Sequence, residues 1–242
     1  MSSSDVSTVK FQPFARDWVA MFSADDVSQC LPVIELARKY FTGRANTLAT
    51  ARACFTRAYQ KRLGEVAAAK VLGRFGMDME SFIKSGKRRF TESVFRDLYD
   101  EIKRTELGCE FIIFGFDGNS EPHLFTVEEP GKDLVHDKPG FCCIGSGKYA
   151  ADGMLLYLGQ NTFKNDYETI ANVYAAKFMA EKVAGVGINS HLYVKRAGSI
   201  GSGIAPWVEA ALRKEWERTG KPMVDRNLVN KMEVDNPLIF VP

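Results

Sequence analysis

The sequence lacks most of the features that assign a protein at sight. Among its 242 residues no apolar stretch approaches the roughly 20 needed to span a membrane. The opening Met1-Ser-Ser-Ser-Asp5 has neither the basic nor the apolar region of a signal peptide. Charge of one sign is missing as well: Lys+Arg 32 against Asp+Glu 30 leaves a formal +2, too little for the long-range field to require a nucleic-acid or membrane partner. Cysteine is scarce and unpatterned. Cys30, Cys54, Cys109, Cys142 and Cys143 form no CxxC pair, and the adjacent Cys142-Cys143 would point to opposite faces of a strand, so buried thiols are expected. Three dispersed histidines, His123, His136 and His191, never recur at the i, i+4 spacing that puts two ligands on one helix face. These absences lead us to expect a cytoplasmic protein with no cofactor, no metal and no membrane association, and they disfavour a nucleic-acid partner, for which the basic run at Arg88 and Arg89 is the weaker alternative.

What is present is an ordinary globular composition. With 45% hydrophobic and 26% charged residues, the chain has material for one good core or two small ones, which excludes disorder, collagen and a small disulfide scaffold. Val9–Phe14 and Trp18–Phe22, joined by the polar Ala15-Arg16-Asp17, predict a hairpin. Ser23 or Asp25 can cap a helix with Val27, Cys30, Leu31, Ile34, Ala37 and Phe41 on one face, ended by Gly43. Thr47 to about Leu72 and Thr91 to Arg104 predict two more helices, with Gly73, Gly76 and Gly86 punctuating the connection. The texture then changes to strands. Phe111–Phe116 and His123–Val127 flank Asp117-Gly118, the strongest hairpin signal in the chain, and Phe141–Ile144 predicts a third strand. A helix from Tyr149 to Leu158 follows, then a long one opened by the Asn165/Glu168 capping box and running to Gly185, a strand at His191–Val194, and a helix beginning at Pro206. Strands arriving in clusters favour an α+β arrangement of antiparallel sheets with outer helices over a doubly wound parallel sheet.

The motifs resolve mostly by failing stricter tests. Gly145-Ser146-Gly147-Lys148 has the look of a phosphate-binding loop. That loop needs a glycine where Cys142 stands and a Ser or Thr where Tyr149 stands. What survives is a Gly-Ser-Gly turn between an apolar run and a helix start, a place where backbone N–H groups and a small hydroxyl meet and can stabilise an anion or oxyanion. The Gly198–Gly203 segment lacks the order of a dinucleotide fingerprint. Gly86-Lys87-Arg88-Arg89, near Lys84, predicts a solvated basic surface. Glu128-Glu129 sits beside a turn with no hint of acid/base geometry, and His191 has no nucleophile in view.

Taken in order, Phe111-Ile-Ile-Phe-Gly-Phe-Asp117, His123-Leu-Phe-Thr-Val127 and Phe141-Cys-Cys-Ile-Gly-Ser-Gly147 followed by Tyr149-Ala150 resemble the two central strands and the serine-bearing GSG loop of proteasome β-type subunits. Earlier, Lys10-Phe-Gln-Pro-Phe14 and Met21-Phe-Ser-Ala-Asp25 are similar to that family's lysine-bearing strand and the start of its first helix. The resemblance runs from about Ser4 to Val194. It implies an α+β fold, the four-layer αββα sandwich of N-terminal-nucleophile (Ntn) hydrolases, as one domain over residues 1–242. It also implies homo-oligomeric rings or stacks acting on peptide substrates. In that family a Thr, Ser or Cys at the mature N-terminus attacks the scissile carbonyl, its own α-amino group serves as base, and a lysine favours the ionised nucleophile.

Carried over, Lys10 matches the lysine, Ser146 the loop serine and Gly147 the glycine after it. Methionine removal would expose Ser2 as nucleophile, with Asp5 as the acidic residue of the opening run. Three departures shape the functional expectation. No apolar strand precedes Val9, the family's late Asp and Ser fall on Lys182–Gly187, and a helical region of about 73–106 is inserted. The resemblance therefore implies an ancestral threonine-type peptidase or amidohydrolase that is truncated at its nucleophile or catalytically silent. The alternative is a non-catalytic oligomeric scaffold.

Overall fold

The computed structural model describes residues 10–24, 26–199 and 201–220. Its centre is a five-stranded antiparallel meander in chain order: β1 (Phe11–Pro13), β2 (Trp18–Ala24), β3 (Cys109–Phe116), β4 (Pro122–Glu128) and β5 (Lys132–Val135). Alternation along the strands sends one set of residues to each face. Trp18, Ala20 and Phe22 of β2, Cys109, Phe111 and Ile113 of β3, and Phe125 and Val127 of β4 form the first face. Val19, Met21 and Ser23 share the second face with Glu110, Ile112, Phe114, Leu124, Thr126 and Glu128.

Two helices cover the first face. Asp26 accepts a hydrogen bond from the Ser28 N–H at 2.9 Å and starts a short 3₁₀ turn, Val27–Gln29, that leads into α1 (Cys30–Phe41). Thr47 caps α2 (Leu48–Ala67) by accepting from the Thr50 N–H at 3.1 Å. Their buried residues recur every three or four positions: Cys30, Val33, Ile34, Ala37 and Phe41 on α1, and Ala51, Cys54, Phe55, Ala58 and Tyr59 on α2. Phe55 meets Phe111 edge to face at 5.0 Å and Phe14 at 5.5 Å, which ties helix, sheet and the β1–β2 turn into one core.

A second, smaller core lies beyond α2. A π-helical turn over Ala68–Leu72 and a 3₁₀ turn over Gly73–Phe75 lead to α3 (Met79–Arg89) and α4 (Glu92–Lys103). Val71, Leu72, Met77, Phe82 and Leu98 are buried there, with Phe90, Phe95 and Ile102 packed against them. The expected break at Gly86 is instead the interior of α3. A Cβ there would stand 2.9 Å from the Phe95 ring, so the glycine serves close helix packing rather than a turn.

The second face is covered by α5 (Lys148–Tyr157), α6 (Asp166–Ala180), the two-stranded ribbon β6 (Tyr193–Val194) with β7 (Ser202–Gly203), and α7 (Pro206–Glu215). Tyr193 of β6 stacks on Phe11 at 5.6 Å and meets Phe114 at 6.3 Å, laying the ribbon over the β1 side. The layers thus run helix, sheet, sheet, helix, with two strands in the second sheet among the described residues. Phe141–Ile144, expected as a strand, makes no ladder. The edge of β4 is already taken by β5, and the run crosses the second face instead. Among the described residues no helix is long and apolar enough to cross a membrane.

Candidate functional site

The Gly-Ser-Gly turn is built by contacts on three sides. Gly145 has φ +84°, and a Cβ on it would come 2.6 Å from Ser23 Oγ, so both conformation and space require glycine. Its N–H donates to Glu110 Oε2 at 2.7 Å, and Lys148 Nζ donates to Glu110 Oε1 at 3.2 Å. Glu110 stands directly opposite Ser23 in the β2–β3 ladder, so one carboxylate anchors both ends of the turn to the sheet. That bond pushes the Lys148 ammonium above its ordinary range. Gly147 is buried against α6: a Cβ would sit 2.8 Å from Ala180 Cβ and 3.0 Å from Val186 Cγ2. Ser146 between them is exposed, and its hydroxyl faces the segment after α6, within 3.9 Å of where a Gly185 side chain would begin.

That segment is held by a charge cluster. Glu181, at the C-cap of α6, accepts from Arg213 of α7 through both oxygens, at 2.8 and 3.0 Å, and from Lys177 at 2.7 Å. Arg213 also donates to the Ile188 carbonyl at 3.0 Å and Lys177 to the Gly187 carbonyl at 2.6 Å. Burial raises the Glu181 carboxyl, but the hydrogen bonds from Arg213 and Lys177 outweigh it and leave its pKa below the usual range. Both ends of the segment facing Ser146 are therefore pinned by one carboxylate.

A cavity of about 210 Å³ adjoins the turn, lined by Thr126, Leu134, His136, Cys143, Lys148 and Asp152 among others. His136 Nε2 lies 3.1 Å from Thr126 Oγ1, and burial holds the imidazole pKa below its ordinary value. Cys, His and Asp together suggest a nucleophilic triad, but the thiol chemistry opposes it. Burial, then a hydrogen bond to Asp152, drives the Cys143 thiol far up, and burial pushes Cys142 up to about 12. A thiol that stays protonated at neutral pH is a poor nucleophile. All five cysteines are free, and Cys30 and Cys109 stand with sulfurs 3.5 Å apart in the core. Among the described residues no group of three or more His, Cys, Asp or Glu side chains could hold a metal ion.

Of the candidate site residues within the described residues, the structure brings Ser146 and Gly147 together and sets Lys10 apart. Ser146 and Gly147 meet at the start of α5 over the second face. Lys10 lies opposite Phe22, whose N–H donates to the Lys10 carbonyl at 3.2 Å, and this register aims it toward the first face and α1. Its neighbour Phe11 occupies the second-face position, stacked on Tyr193. Ser2 and Asp5 lie outside the described residues, as does the candidate cap Asp25. The cation at the turn is Lys148, which the sequence shows only as the lysine of a failed phosphate loop, and its partner Glu110 carries no local signal. The one available hint is alternation: Glu110 is the charged residue between Cys109 and Phe111, and must face away from the core they enter.

Comparison with solved structures returns the Anbu (Gly-1) mutant from Hyphomicrobium sp. strain MC1, with a TM-score of 0.58 and 14% sequence identity. The match covers 92% of this chain and 84% of that one. No protein-family model matches the sequence, and no curated protein does. The architecture is α+β, helices enclosing antiparallel sheets with extra helices in the first half. The likeness shows that the chain shares the overall fold of that structure.

Proposed function

We propose that this protein is a catalytically silent subunit of the proteasome-β-like branch of the Ntn fold, descended from an amide-bond hydrolase and retained as a building block of a cytoplasmic homo-oligomer. Residues 1–242 form one such domain, with the region of about 73–106 as an insertion. The observation that carries this reading is the register of β1. An Ntn lysine acts by standing beside the nucleophile, between the layers that also hold the loop serine, whereas Lys10 aligns with Phe22 on the opposite face from Ser146. A displacement of one residue in a strand reverses the side chain, so the charge that should assist a nucleophile is directed through the sheet from it. Lys148 does not replace it, because Glu110 already neutralises that ammonium.

Incubating the full chain with a β-lactone electrophile that acylates N-terminal nucleophiles, then measuring intact mass, tests the reading. The expected spectrum is unmodified protein, with no turnover of fluorogenic peptides. An adduct localised to Ser2, accompanied by peptide hydrolysis that Lys10→Ala abolishes, would replace this reading with an active Ntn hydrolase.

A further inference from the structure

The last two turns of α3 carry cations that the second core does not use. Phe82 and Gly86 turn inward, and the helical repeat then sets Lys84, Lys87 and Arg88 side by side on the outer face, three or four positions apart. Ile83 flanks them at 71% exposure, one turn before Lys87. Lys87 Nζ lies 5.8 Å from the centre of the Phe95 ring, and Arg89 ends the helix. There Phe90 meets Phe75 edge to face at 5.1 Å, and Phe75 is left 41% exposed. The run of cations is thus bounded by an apolar side chain at each end.

The charges around this run are paired, whereas its own are not. Lys84 pairs with Glu80, Arg96 of α4 with Glu92 at 3.4 Å, and Arg74 with Glu101 at 3.9 Å. Among the described residues no carboxylate pairs with Lys87, Arg88 or Arg89. The carbonyl end of a helix favours cations in its last turn, which accounts for where the run lies but not for its missing counter-charges or for Ile83 beside it. Nor does the packing need these side chains. Val71, Leu72, Met77, Phe82 and Leu98 hold α3 and α4 from beneath.

We propose that this face of α3 docks an acidic peptide segment of a partner protein, with its carboxylates on Lys87, Arg88 and Arg89 and an apolar side chain at each end, on Ile83 and Phe75. Charge complementarity selects the carboxylates, and arginine presents the planar fork that fits them. The apolar ends select a peptide over a nucleic acid. A phosphate backbone would satisfy the cations but leave Ile83 in water, and a chain with a formal +2 has little long-range field to draw a polyanion. Ile83 and Phe90, against which Phe75 packs, are about two helical turns apart, roughly 10 Å, a span that about three residues of extended peptide cover. This surface goes beyond the silent-subunit reading and does not depend on it.

Fluorescence anisotropy of the full chain with two labelled probes is the test. One is a peptide with Leu-Glu-Glu-Asp-Phe between Gly-Ser flanks, the other a single-stranded oligonucleotide of about 12 thymidines. The peptide is expected to bind saturably, with its dissociation constant rising at least about fivefold between roughly 50 and 300 mM salt. Arg88→Gln with Arg89→Gln is expected to weaken it about tenfold and Ile83→Ser about fivefold, both with the wild-type circular dichroism. If the double variant unfolds, Arg88→Gln alone, which alters one exposed side chain, decides the matter by the same measurement. A wild type that does not bind the peptide overturns the proposal, as does an affinity unchanged in the folded variants. Tighter binding of the oligonucleotide than of the peptide, indifferent to Ile83→Ser, overturns it in favour of a nucleic-acid surface. None of these outcomes bears on the silent reading, whose failure would show as a covalent adduct.

Discussion

A methyl group at residue 115 would overlap the carbonyl oxygen of Asp17 and press on the Trp18 backbone, because β3 passes beneath the β1–β2 turn with no room for a side chain. Backbone cannot retreat as a flexible side chain can. Gly115→Ala is therefore expected to lower unfolding stability by about 2 kcal/mol, read as a drop in the urea midpoint. His136 provides a residue-scale test by pH. Burial lowers its folded pKa from 6.5, against the opposing pull of Asp152, Asp137 and Glu128 and beside the Thr126 hydroxyl. The unfolded chain takes up the proton first, so the stability from a neutral His136 is complete above pH 6.5 and is lost as pH falls below it toward the depressed folded value. The urea midpoint is expected to fall between pH 7.5 and 5.5, and His136→Gln to remove part of that fall. An identical pH dependence in the variant would contradict the assignment.

Elements were legible where local chemistry decides them. The Asp117 carboxylate accepts from the Asn119 and Glu121 N–H groups at 2.8 and 3.0 Å, the turn that Asp-Gly signals, and the α6 capping box lies where its residues predict. Prediction failed where tertiary packing decides. Gly86 looks like a break but lies inside α3, since only Phe95 explains it. Lys132–Val135 is too short and polar to announce β5, while the more apolar Phe141–Ile144 finds no strand to pair with. The candidate site divides the same way. The Gly145–Gly147 turn is visible in the sequence, but Glu110 and Lys148 are brought together only by the fold. Lys10 shows the sharpest limit, because a motif match cannot see a register that sets which face a strand residue occupies. The segment facing Ser146 also belongs to this scale. Glu181→Ala removes the carboxylate that pins it and leaves Arg213 without its bidentate partner. A loss of about 2 kcal/mol is expected, reduced from the buried-pair value because Arg213 is partly exposed. Hydrogen exchange should rise in residues 182–188 and α7 while the sheet stays protected; uniform acceleration would show that the cluster has no local role.

At the scale of the whole molecule, the proposed catalytically silent subunit rests on the α+β fold shared with the Anbu structure and on the register of Lys10. The polar turn at Ser146 is anchored to the sheet by Glu110, and Lys10 is directed to the other face. The intact mass of the full chain after exposure to an N-terminal-nucleophile-directed β-lactone examines that proposal most directly. The expected mass is unchanged from that of the untreated protein; a stoichiometric acyl adduct on the N-terminal residue would contradict catalytic silence.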